Sequence, residues 1–432
     1  MNNKNTIAFL RELKIIKVLK IRPFLFLLLA EIFSQLATNM LNFVLIIVAF
    51  TVASSNTAVS GVILSFTIPS LLFGLLAGVY VDKWSKRKVL IVTNILRAAL
   101  VFLLVFLHVK LLFIYLLSFA ISLVSQFFVP AEPPMIPLLV RRELLLSANA
   151  VFGIIIYASI FIAYAISGPL LLVTGKIGVF IILSASFFLA AIFASAIKVK
   201  KAPADVVELK PIGNIFSEMR NAFSFIAKAK KIYQALFLLT LAQILVLVLA
   251  VIGPGYADQV LKIKVEQFPL FFVTPAIIGM ALGAVILGSF FHKHKKRNIT
   301  RVGLLLLGLS ILALPYGSKV ESRQIVQTIN SYVPHFFEIN ILHIMVVLSF
   351  IMGIANSLIF VPSQTVLQEE TSDEIRGKIY GALNTMVGFF SLLPIIIVGG
   401  LADLIGIKSV ITGLGLIVLF IAVLSIISPQ KK

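Results

Sequence analysis

Long uninterrupted apolar runs, separated by short polar and basic connections, set the pattern of this chain. Runs of spanning length fall at 23–52, 59–81, 89–109, 111–129, 150–174, 178–197, 232–257, 268–291, 300–316, 341–363, 379–401 and 407–428. About twenty apolar residues cross a bilayer as an α-helix, whereas the strands of a membrane barrel alternate every second residue. With no water inside the bilayer to satisfy N–H and C=O groups, such runs must close their hydrogen bonds internally. The pattern predicts twelve transmembrane helices. Two runs break it: the first carries Glu31, Ser34, Gln35, Thr38, Asn39 and Asn42, and the fourth carries Tyr115, Ser118, Ser122, Ser125 and Gln126. Steps of three and four place each set on one helix face, as a polar stripe.

Composition agrees. Of 432 residues 60% are hydrophobic and 12% charged, with a mean hydropathy of +1.10, which excludes a water-soluble globular domain. The expected fold class is an all-α polytopic membrane protein, with 12 helices in two six-helix bundles. There is no cysteine, hence no disulfide and no thiolate metal site.

The net charge of +20 suggests nucleic acid until its distribution is counted. With the N-terminus inside, 29 Lys and Arg residues fall in cytoplasmic segments and 7 in outer loops, while Arg97 lies within a span. That asymmetry is the positive-inside pattern. It predicts a plasma-membrane protein with both termini cytoplasmic, its cations facing anionic lipid headgroups rather than nucleic acid. The run at 23–52 is too long for a cleavable signal and reads as the first permanent span.

The most distinctive connection is Gly78-Val79-Tyr80-Val81-Asp82-Lys83-Trp84-Ser85-Lys86-Arg87-Lys88. A degraded copy follows 210 residues later as Gly288…His292-Lys293…Lys296-Arg297. Gly74 and Gly78, with Ala284 and Gly288, are expected to let neighbouring helices approach closely. A second pair of similar junctions, 130–149 and 362–381, is displaced by about 231 because the outer loop 316–340 is long. Two same-sense halves follow: residues 1–197, a linker at 198–231 and residues 232–432. In the linker Ile212, Ile215, Phe216, Met219, Phe223 and Ile226 recur at helical spacing, predicting an interfacial amphipathic helix, with a poorly ordered tether as the alternative.

These residues carry a resemblance. The loop holding Gly78, Asp82, Lys83, Lys86 and Arg87 resembles the signature of the major facilitator superfamily, with Ser85 where that pattern has glycine. The stretches Pro130–Val140 and Ser147–Ala150, with Leu367–Gln368 and Asp373–Lys378, are similar to the branch of macrolide-efflux proteins and the enterobactin exporter. Gly168-Pro169 in the fifth span resembles the start of an antiporter signature, with Leu171 and Leu172 replacing its next glycines. The arginine of drug/proton antiporters has no counterpart at 111–129. The resemblance implies that spans 1, 4, 7 and 10 line a central cavity, and that the second span's end docks on the start of span 11. On that basis Glu31, Gln35, Thr38, Asn39, Asn42, Ser122, Gln126, Gln243 and Asn356 are candidates for the cavity. Gly78, Asp82, Lys83, Arg87, Glu374, Arg376 and Gly377 are candidates for a cytoplasmic latch, while Lys86 and Lys88 serve topology.

Glu31 is the sharpest of these. It lies about 12 Å into its helix at 1.5 Å per residue, where an ionised acid costs about 2.5–3.5 kcal/mol on insertion scales. It therefore needs water, a proton to couple export, or a permanent ion pair, for which Arg97 stands at similar depth on span 3. Interhelical hydrogen bonds, worth about 0.6 kcal/mol each, explain isolated serines but not six polar residues on one face.

No phosphate-binding glycine loop or enzyme signature occurs, and His292 and His294 sit among lysines as surface residues. No cofactor, metal or catalytic residue is expected. The expected function is a monomeric secondary transporter, a proton-coupled exporter of amphipathic small molecules such as a drug or siderophore-like compound. The alternatives are a carrier of lysophospholipid or another lipid-like substrate, and a non-transporting membrane protein that binds a partner or signals.

Overall fold

The computed structural model describes residues 14–198, 229–290, 295–316, 340–371 and 373–427. The expected amphipathic helix of the linker, and His292 and Lys293 of the second cationic turn, lie outside them. Each apolar run forms a helix: α1 (Arg22–Ala53), α2 (Asn56–Lys83), α3 (Lys86–Leu107) and α4 (Leu111–Ala131). One long element, Leu145–Ala196, carries two spans, α5 (145–174) and α6 (176–196), parted at Gly175 with φ 67°. Glycine reaches that left-handed region without the strain a Cβ would bring, so the chain breaks there inside an otherwise continuous apolar stretch.

The second half continues with α7 (Lys230–Tyr256), α8 (Thr274–Phe290), α9 (Lys296–Ala313), α10 (Ile341–Glu369), α11 (Asp373–Ile405) and α12 (Ile407–Ile427). Among the described residues eleven elements are long and apolar enough to cross a membrane, and the Arg142–Ala196 stretch supplies two spans. The architecture is thus all-α, with the twelve expected spans. Pro254 near the end of α7 leads into a wider turn at Ala257–Leu261, closed by Lys262 with φ 57°. A proline cannot donate to the helical ladder, and π-type turns accommodate the missing bond.

The chain packs as two compact units, one drawn from Met1–Val48 and Leu64–Leu209, the other from Ala49–Ile63 and Lys210–Lys432. α1 and α2 therefore change unit along their length: their joined ends, Ala49–Ile63, belong with the later helices. In the first unit the core gathers Phe24, Leu27, Leu28, Leu90, Phe128 and Phe152. Large apolar side chains such as Phe106, Leu112, Val173 and Ile154 are exposed. That pattern suits lipid rather than water.

The closest backbone contacts lie in the second unit. A Cβ at Gly353 on α10 would stand 1.9 Å from the Ala276 carbonyl oxygen, and one at Gly279 on α8 would stand 2.1 Å from that of Phe350. These glycines let α8 and α10 meet backbone to backbone, where dispersion replaces the hydrophobic effect that lipid cannot supply. Gly78 is different. A Cβ there would meet nothing within 4 Å among the described residues, and one at Gly74 would lie 3.5 Å from Gln126 Oε1. Among the described residues, glycines that admit a neighbouring backbone stand at Gly279 and Gly353, and also at Gly303 beside Ala355 and Gly399 beside Asn56.

Candidate functional site

The polar stripe of α1 does not act as one surface. Counted at 100° per residue, Ser34 to Asn39 spans about 140° of the helix circumference, so its members meet different neighbours. Glu31 and Ser34 are buried toward α3. Thr38 and Asn42 face a cavity of about 210 Å³ in the first unit, lined also by Leu41, Leu45, Phe66, Ser118, Ile121, Ser122, Ser125 and Gln126. Gln35 and Asn39 bond one another at 3.2 Å across one helical turn.

The α4 stripe supplies the facing wall. Ser122 donates to the Phe66 carbonyl at 2.7 Å, joining α4 to α2. Ser125 donates to Ile121 at 2.8 Å and the Gln126 amide to Ser122 at 3.1 Å, both turning back on their own helix. Ser118 is the exception. Its residue is 1% exposed and its hydroxyl has no hydrogen-bond partner, although it borders the cavity. A buried unpaired hydroxyl is expensive and is the group best placed to bond an occupant. The lining is made of hydroxyls, amides and aliphatic walls and contains no charged side chain.

Behind this cavity sits a buried charge. Arg97 is 1% exposed, its guanidinium 4.2 Å from the Phe128 ring centre and 4.7 Å from that of Phe187. Nη2 donates to Ser34 Oγ at 3.1 Å and to Asn94 Oδ1 at 2.8 Å, and Nη1 donates to Thr38 Oγ1 at 3.4 Å. The aromatic faces stabilise the cation where water is absent. Glu31 lies within electrostatic range of Arg97, yet its buried carboxyl makes no close hydrogen bond to it and has the Gln35 side chain as its polar neighbour. Glu31 and Arg97 thus form no closed ion pair; Arg97 spends its donors on neutral groups. Thr38, touched by Arg97 and lining the cavity, connects the two.

Other expected residues stand elsewhere. In the second unit Gln243 on α7 is exposed and Asn356 on α10 half-buried. Gly168 is buried on α5 and Pro169 half-buried. Of the cationic turn, Lys83 is exposed and Arg87 donates to the Ser195 carbonyl at the end of α6, within its own unit. The side chains of Asp82, Glu374 and Arg376, and Gly377, fall outside the described set. The charged cluster around Arg97 was only half legible: the sequence exposes the lone arginine within a span, but not that serine, threonine and asparagine surround it.

The profile of the Major Facilitator Superfamily matches residues 27–333. An uncharacterised MFS-type transporter of Bacillus subtilis, YfiS, is 24% identical over 399 residues, covering 90% of this chain and 88% of its own. Among solved structures, the nucleoside transporter NupG superposes with a TM-score of 0.73 at 13% identity, covering 94% of this chain and 100% of the other. A bacterial homologue of the human lysosomal transporter Spinster does so with a TM-score of 0.68 at 12% identity, covering 94% and 96%.

Proposed function

The chain belongs to the major facilitator superfamily and is a multi-pass membrane transporter, and from that premise we propose that it is a proton-coupled exporter of amphipathic small molecules. It works by alternating access, in the plasma membrane, with both termini in the cytoplasm, where 29 of its 37 basic residues then fall. The observation that carries the substrate class is the cavity of about 210 Å³ walled by neutral hydroxyls, amides and aliphatic carbons. Such a lining hydrogen-bonds a weakly charged solute, or the polar end of a larger amphipathic one, and offers no cation to hold a phosphate.

Glu31 carries the proton. Its carboxyl is buried, with the neutral Gln35 side chain as its polar neighbour and Arg97 near as counter-charge when the proton leaves. Occupation of the cavity is felt by Thr38, whose hydroxyl Arg97 also contacts. Solute and proton thereby compete for the same small set of groups, which is the requirement for exchange.

Purified protein in proteoliposomes with an imposed pH gradient tests both parts. The wild type should accumulate a fluorescent amphipathic solute against its gradient and release protons as it does so. Glu31→Gln should abolish uphill accumulation while downhill solute exchange continues. Full uphill transport by Glu31→Gln would discard the proton role; wild-type protein that moves no solute of this class would discard the substrate class.

A further inference from the structure

The turn between α1 and α2 is held by one carboxylate from the far end of the chain. Asp403, near the C-terminus of α11, accepts the backbone N–H of Asn56 at 2.9 Å and its side-chain amide at 2.8 Å through Oδ1. Its Oδ2 accepts the backbone N–H of Thr57 at 2.9 Å, the Thr57 hydroxyl at 2.7 Å and the Ser55 hydroxyl at 2.6 Å. Asn56 and Thr57 are the first residues of α2, and the N–H groups of a first helical turn have no partner in their own helix. Asp403 supplies that partner, and its negative charge meets the positive end of the helix dipole.

The same junction is drawn tight elsewhere. Ser60 is 3% exposed and donates to the Ile395 carbonyl at 2.7 Å. A Cβ at Gly399 would stand 2.1 Å from Ser60 Oγ and 2.9 Å from the Asn56 carbonyl oxygen. One at Gly255 would stand 2.4 Å from Asn56 Oδ1. Ser54, just before α2, holds φ 50°, a conformation that side chains other than glycine seldom keep without support. All these groups lie in the second unit, yet the chain on both sides of Ala49–Ile63 belongs to the first.

We propose that Asp403 is the catch of a gate at this end of the transporter, holding the Ala49–Ile63 turn in one state of the transport cycle and releasing it in the other. The proposal rests on alternating access but on neither the solute nor the coupling ion. Every donor to Asp403 is neutral, and the bonds from Ser55 and Thr57 lie at the exposed edge. On release, water replaces them at both ends, so opening strands no charge, as parting a buried ion pair would. The catch biases the two states by contacts present in only one of them. The glycine approach at Gly399 guides reclosure, because the turn seats against bare backbone.

The absence of native cysteine permits a clean labelling test. Leu45→Cys, at the cavity, is labelled with a membrane-impermeant maleimide added from the side of the α2 N-terminus. Asp403→Asn keeps the shape but turns an amide toward donors. It should raise the labelling rate by about fivefold or more, the shift produced by losing about 1 kcal/mol of closed-state contacts. Ser55→Ala and Thr57→Val, which remove donors from the opposite side, should raise it in the same direction, and neither should add fully to Asp403→Asn. Should Asp403→Asn fail to fold, the two donor variants decide. Unchanged labelling in the folded variants would overturn the catch, even in a protein that exports the proposed solute. Accelerated labelling in a protein that moves no such solute would uphold it.

Discussion

The guanidinium of Arg97 donates to the Ser34 hydroxyl at 3.1 Å and not to the carboxyl of Glu31, one helical turn earlier on α1, whose polar neighbour is the Gln35 side chain. A cation and an acid buried in the same unit usually close on each other. Here the two phenylalanine rings and the neutral oxygens of Ser34, Asn94 and Thr38 hold the cation by themselves. The acid is therefore left able to respond to its surroundings.

Replacing Arg97 should separate structure from coupling. Arg97→Gln removes the counter-charge near Glu31 and the donor that Ser34 and Asn94 accept, and should lower the stability of the protein by orphaning those buried groups. Adding Glu31→Gln should recover part of that loss, because no uncompensated charge remains. Thermal melts in detergent of both single variants and the double variant would measure the coupling. Strict additivity would mean that the two side chains do not sense each other.

Ser118 should behave unlike its neighbour on α4. Its hydroxyl has no partner, so Ser118→Ala should leave thermal stability unchanged or slightly raised. Ser122 bonds the Phe66 carbonyl, and Ser122→Ala should cost about 1 kcal/mol, the net value of one hydrogen bond plus its orphaned acceptor. If Ser118 serves the occupant, Ser118→Ala should also reduce the stabilisation that a transported solute confers on the melt. Equal ligand shifts in wild type and variant would assign the hydroxyl no part in binding.

Glycine positions give a direct contrast. Gly353→Ala would drive a methyl to 1.9 Å from the Ala276 carbonyl oxygen, against backbone that cannot yield. It should cost more than about 3 kcal/mol, beyond the usual range for overpacking, and appear as lost monodisperse protein on size-exclusion chromatography. Gly78→Ala meets open space and should fold normally. A stable Gly353→Ala protein would mean that α8 and α10 pack less closely than described.

Twelve spans were legible in the chain, though ends such as those of α10 and α11 differ by up to six residues, because lipid leaves the backbone one solution: an apolar run of sufficient length is a helix. Even the break at Gly175 fell between two apolar runs. The polar stripes of α1 and α4 were legible too, since helical periodicity alone sets which residues share a face. Distances between helices were not. Whether Glu31 pairs with Arg97, which hydroxyl is left over at the cavity, and which glycines bring backbones together depend on the rotation and approach of separate helices.

Asp403 marks that boundary most sharply. In sequence it is one acid near the end of an apolar run, 347 residues from Asn56, with no periodicity or motif to single it out. Local sequence determined that α2 begins with unpaired N–H groups, because every helix does. Only the tertiary structure decided what satisfies them, because a carboxylate finds such donors through space and not through its place in the chain.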